Sequence, residues 1–245
     1  MKPQQRGFTL IELMVAMVIG LILTLAALQL FLTNQRTFAL QQALAELHED
    51  GQMVTRYMTA DIRQAGRGNA ISGAVPPVIP EQSSNGTNDV LTITYSGTTT
   101  CTGEEVSEMD IENTYSVSGD VLQCSSNGRT VDLTSGVESF QVLYGLDTVK
   151  DEAYGVTEFM TAGAPLENAL AADSAIVAIR FALLLASDRF TQVEAASQTH
   201  WVLDQSVSTN DNQLRRAYSA TVQLRNYEWD KVHCESETGE ACDDV

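Results

Sequence analysis

From Leu13 to Leu32 the chain runs for twenty residues without a charge, and only Thr24 and Gln29 within it are clearly polar. A helix that crosses the hydrocarbon core of a bilayer needs about 20 residues of this kind. A helix buried in a soluble domain would instead keep one polar face. The run therefore predicts a transmembrane helix over residues 13–32. Lys2 and Arg6 precede it, and positive charge marks the cytoplasmic side, so the N-terminus is expected in the cytoplasm and the rest of the chain across the membrane. Arg36, the first charge after the run, weakens that asymmetry. A cleaved secretory signal would have an apolar region of only ~7–15 residues and a small-x-small cleavage site. This run is longer, and Ala26-Ala27-Leu28 matches such a site poorly.

One carboxylate, Glu12, stands at the entry to the apolar run. Inserting such a group costs roughly 2.5–3.5 kcal/mol on biological scales. Two readings follow: Glu12 sits at headgroup level in contact with water, or it has a cationic partner.

The rest of the composition narrows the function. The net charge is −18, which supplies no basic footprint for phosphate and argues against nucleic-acid binding. It suits an exported, soluble surface. The four cysteines, Cys101, Cys124, Cys234 and Cys242, are an even set, and in an oxidising compartment such a set reads as disulfides. Three pairings are open, and closeness in sequence favours Cys101–Cys124 and Cys234–Cys242. A zinc site is the alternative, but no C-x-x-C occurs and His48, His200 and His233 are scattered, which leaves His233-Cys234 beside Cys242 as a weak cluster. Asp147, Asp151 and Glu158 occupy three positions of a calcium loop, while Val149 and Glu152 stand where a ligand and the required glycine belong. That excludes an EF-hand and leaves a looser calcium site beside the reading of a solvated charge run. No G-x-S-x-G, H-E-x-x-H or S-x-x-K occurs, so the expectation is a non-enzymatic chain without a cofactor.

Beyond the apolar run, Leu40, Leu44, Leu47, Gly51, Val54, Met58, Ile62 and Ala65 recur at helical spacing. They predict that one helix continues to about Ala65, its second half laying this stripe on a globular domain. Gly20 and Gly51 are its expected weak points, and Gly66 and Gly68 its stop. Strands are expected at 90–95, 115–124 as a hairpin, 130–133, 137–146, 175–186 as a central buried strand, and 215–226. Residues 101–112, 147–164 and most of 187–212 read as loop, and 166–172 as a short helix. One long helix followed by strands without βα alternation argues α+β with antiparallel sheet.

The segment Gly7-Phe8-Thr9-Leu10-Ile11-Glu12 followed by the apolar helix resembles the leader and N-terminal segment of type IV pilins and of type II secretion pseudopilins. Asp61-Ile62-Arg63-Gln64-Ala65-Gly66, the stretches 137–147 and 178–185, and the closing 214–226 resemble the PilW group of minor type IV pilins. The loops 97–112 and 147–170 and the acidic tail depart from it. The resemblance implies a leader over 1–7, a helix over 8–65 and a periplasmic β-rich domain over 66–245. It implies cleavage by a prepilin peptidase between Gly7 and Phe8, N-methylation of Phe8, and pairing of Glu12 with the N-terminal amine of a neighbouring subunit. It implies a minor pilin, first in the bacterial inner membrane and then in the pilus. There it would join other minor pilins and the major pilin on an inner-membrane assembly platform and prime assembly at the tip. A tip pseudopilin of a type II secretion system is the alternative.

Overall fold

A computed structural model of the chain describes residues 7–69, 75–148, 155–171, 174–190 and 196–226. The first helix, α1, spans Leu10–Ile62 without a break. At 1.5 Å per residue it is about 80 Å long. Every residue from 7 to 39 is exposed, and burial begins near Leu40. The helix therefore has two surfaces of different kind: an apolar first half with no protein around it, and a second half with one buried stripe.

Ten strands follow. β1 (Leu91–Thr99), β2 (Glu105–Ser118), β3 (Val121–Ser126) and β4 (Arg129–Thr134) form a meander in that order. Asn127 and Gly128, both at positive φ, make the tight turn between β3 and β4, the conformation that matches strand twist in a two-residue hairpin. β5 (Val137–Asp147), β6 (Glu158–Met160), β7 (Ala175–Phe190) and β10 (Gln213–Gln223) form a second sheet in the order β10-β7-β5-β6. The helix α2 (Ala164–Ala171) precedes β7 and buries Leu166. β8 (Ala196–Val202) and β9 (Gln205–Asp211) form a separate hairpin. All strand pairings are antiparallel, so the fold is α+β with the long helix packed on antiparallel sheet.

Both four-stranded sheets meet the second half of α1 in one core. Leu47, Val54, Met58 and Ile62 of the helix pack with Leu91, Ile93, Tyr115 and Leu122 of the first sheet, and with Ile179, Phe181, Leu183 and Leu185 of β7. β7 is the central strand of its sheet and is buried on both faces. Its alternate residues Ala182 and Leu184 face away from the helix and carry Val202 of the hairpin.

The structure departs from the sequence expectation in five places, one of them β6, which lies in the stretch 147–164 expected as loop. Leu44 is 40% exposed and Ala43 is buried in its place, because the helical stripe drifts by one position where it reaches the domain. Gly51 is no weak point: the Tyr218 ring lies 2.3 Å from where a Cβ would stand, so the missing side chain is a notch that admits the tyrosine. Residues 105–112, expected as loop, are the first half of β2, paired with β1 from Ser96↔Asp110 to Thr99↔Glu105. Residues 187–212, expected mostly as loop, hold the end of β7 and the whole β8–β9 hairpin.

Candidate functional site

The start of α1 explains why a helix can begin beside an apolar run. Thr9 sits at the N-cap with extended backbone and accepts a hydrogen bond from the Glu12 N–H (3.3 Å). In return the Thr9 N–H donates to Glu12 Oε2 (3.1 Å), as does its hydroxyl (3.1 Å). This is a reciprocal capping box, and it satisfies two backbone donors that the helix leaves orphaned. The carboxylate also meets the positive end of the helix dipole. The pattern Thr9-Leu10-Ile11-Glu12 carries the signature in the sequence, where only the charge of Glu12 was weighed. Among the described residues Oε1 of Glu12 receives no hydrogen bond, which leaves an acceptor for a cation from outside the chain. Phe8, two residues before α1 begins, is 89% exposed.

Three threonines further along the exposed half bond back to the helix itself. Thr24 donates to the Gly20 carbonyl (2.8 Å), Thr33 to Gln29 (2.9 Å) and Thr37 to Thr33 (3.0 Å). Hydroxyls satisfied in this way add no unpaired donor to this apolar surface.

Where α1 ends, it is fastened to the domain by polar contacts the sequence did not reveal. Asp61 is 7% exposed and has no basic partner among the described residues. Tyr95 Oη donates to its Oδ1 (2.9 Å), and Asn113 Nδ2 (2.9 Å) and Tyr115 Oη (2.5 Å) donate to Oδ2. Burial pushes its carboxyl pKa up, against the three donors that pull it down. Asn226 Nδ2 reaches the carbonyls of Arg63 (3.1 Å), Gln64 (3.4 Å) and Ala65 (3.3 Å), just past the end of α1, where a helix end leaves carbonyls in need of donors. Tyr218 Oη donates to the Leu47 carbonyl (2.8 Å). Tyr57 Oη donates to the carbonyl of Cys101, and Cys101 is disulfide-bonded to Cys124, with the Cα atoms 6.3 Å apart. These contacts fix the angle at which the apolar half leaves the domain.

Other expected site residues fall as follows. Gly7 and Phe8 lie in the short extended stretch before Thr9. Cys234, Cys242, His233 and Asp151 lie outside the described residues. Asp147 closes β5, nearly buried, and Glu158 opens β6 opposite Leu146. Among the described residues no three His, Cys, Asp or Glu side chains are grouped to hold a metal ion.

The site thus joins an unbroken helix, apolar and bare over its first half, to a β-rich domain that locks its second half. Residues 2–28 match the prokaryotic N-terminal methylation motif, and residues 111–226 match the family of the type IV pilus-assembly protein W. The chain is thus similar at its N-terminus to proteins that carry this methylation motif and, over most of its domain, to the PilW family. The pilin-like protein PilA3 of Thermus thermophilus is 34% identical over 97 residues, which is 37% of this chain and 42% of that protein. Among solved structures, a type IV-like pilin from Thermus thermophilus aligns at 14% identity and a TM-score of 0.49, over 74% of this chain and 96% of that one. A binary complex of two pseudopilins from the type 2 secretion system of Vibrio vulnificus aligns at 11% identity and a TM-score of 0.36, over 76% and 99%.

Proposed function

We propose that the chain is a minor pilin that joins other minor pilins in the complex that primes type IV pilus assembly, at the filament tip. The observation that carries this reading is the bare apolar half of α1, with a capped carboxylate at its start that still has an acceptor to offer. A prepilin peptidase cuts between Gly7 and Phe8, and the new amino group of Phe8 is methylated. The helix waits in the inner membrane with the domain in the periplasm, then leaves lipid for the core of the filament. There the ammonium of a neighbouring subunit, minor or major pilin, meets Glu12. Two opposite charges in an apolar bundle neutralise one another, while either alone is strongly unfavourable, so only one axial register of neighbouring helices is tolerated. Thr9 holds the carboxylate in place for that encounter.

A clean deletion, scored in parallel for surface pili and for exoprotein secretion, tests the assignment. Loss of pili and twitching with secretion intact is expected. Loss of secretion with normal pili would make the chain a pseudopilin instead.

A further inference from the structure

The β8–β9 hairpin is rooted by Val202, which packs on Ala182 and Leu184. Its outer face is of another kind. Trp201 is 71% exposed. Ser206 stands across the ladder from it, and the outward pairs that follow are Thr199 with Ser208 and Ser197 with Asn210. All of these are exposed. On a chain of net charge −18, this strip carries hydroxyls, one amide and an indole, and no charge.

Along the edge of β9 that faces away from β8, a cleft of about 640 Å³ opens, lined by Gln205, Ser206 and Ser208, by Asn85 and Thr87 of the loop before β1, and by Glu138 of β5. Its walls are fixed from behind. The Gly86 N–H donates to Asp89 Oδ1 (2.9 Å), the Phe140 N–H to Asn88 Oδ1 (2.9 Å), and Gln141 Nε2 to the Thr87 carbonyl (2.8 Å). Arg215 grips both oxygens of Glu138 (2.5 and 2.7 Å) and both of Asp211 (2.6 and 2.7 Å). The loop wall and Glu138 are thereby ordered before a ligand arrives, which lowers the cost of binding.

The lining selects the ligand. An anion would meet Glu138 and no available cation, since the Arg215 side chain is only 3% exposed and doubly engaged. An apolar ligand would strip water from the hydroxyls and amides and return no hydrogen bond. Ser, Thr, Asn and Gln each donate and accept, which suits a ligand that does the same at many points. Trp201, across the ladder from the cleft residue Ser206, adds a flat apolar surface beside the cleft's rim, which suits the C–H face of a pyranose ring. We propose that Trp201 and the adjoining cleft bind a neutral oligosaccharide, with the indole as stacking platform and Asn85, Gln205 and Ser206 as hydrogen-bonding partners. The site stands whether the filament served is a pilus or a pseudopilus.

The test is calorimetric titration of the full mature chain, in a detergent without a sugar headgroup, with chitotetraose, cellotetraose and maltotetraose. A hyaluronan tetrasaccharide serves as the charged control. Saturable binding of at least one neutral tetrasaccharide is expected, weakened at least tenfold in Trp201→Ala and in the Asn85→Ala/Gln205→Ala double variant. Trp201→Tyr, which keeps a stacking ring, should retain most of it, and all three variants should still enter filaments. Absence of binding to all three neutral sugars, binding of the charged sugar alone, or equal binding by Trp201→Ala would each overturn the proposal. Loss of Trp201→Ala from filaments with sugar binding intact would overturn it too, and would make the strip a subunit contact.

Discussion

Two aspartates show how one residue type acquires opposite behaviour from its surroundings. Asp211 is held down to about 2, first by its hydrogen bonds from Arg215 and then by the Gln213 N–H. Its contribution to stability is present above the ordinary carboxylate value and is lost as pH falls toward 2. Asp61 is shifted the other way, by burial. Below the ordinary value both folded and unfolded forms are protonated. As pH rises from 3.8 toward the raised value, the unfolded chain ionises first and this group's contribution falls. The pH dependence of the unfolding midpoint should therefore differ between wild type and Asp61→Asn, with the wild type losing relative stability as pH rises through that window. Parallel curves would mean that Asp61 is ionised in the fold at no penalty. Gly51 is the other decisive residue. Gly51→Leu drives a side chain into the Tyr218 ring and should destabilise the domain by about 1–3 kcal/mol, read from urea midpoints, whereas Gly20→Leu, with open space around it, should leave the domain unchanged. Neither role was legible in the sequence. Asp61 stood in the sequence only as the first residue of a stretch resembling the PilW group, with nothing to mark its burial, and the partner that makes Gly51 necessary lies far along the chain in β10.

At the scale of elements, what could be read depended on what holds each element together. β1, β5 and β7 are held by buried side chains, so their apolar patterns announced them, and the helical stripe announced the second half of α1. The first half of β2 and the β8–β9 hairpin are held mainly by ladder hydrogen bonds between polar, solvent-facing residues. Main-chain pairing leaves no mark on side-chain hydrophobicity, so these strands looked like loops. The capping box was written in Thr9 and Glu12, and the cap that Asn226 supplies at the other end was not. Asn226→Ala should destabilise by about 1 kcal/mol, the usual net worth of such hydrogen bonds. The disulfide between Cys101 and Cys124 ties the β1–β2 connection to β3. Replacing both by alanine frees a loop of moderate length in the unfolded chain and should lower stability by roughly 3 kcal/mol, measured by guanidinium unfolding with the midpoint compared under oxidising conditions.

For the whole molecule, the division of labour follows from solvent. The domain buries its own core and faces water with a large negative charge. The first half of α1 buries nothing within the chain, and the proposed function gives it an environment elsewhere, in lipid and then in a bundle of like helices. In that proposal Glu12 is unfavourable in the first environment and sets the register in the second. Glu12→Ala should insert into the membrane as well as wild type yet fail to appear in sheared pili on immunoblots. Normal incorporation would remove the register role from Glu12. The central claim is that this helix is a pilin module, trimmed and modified before it assembles. Intact-mass and N-terminal peptide mass spectrometry of the protein recovered from its native membrane tests it most directly. The account predicts a chain that begins at N-methylated Phe8, and a chain that still begins at Met1 would contradict it.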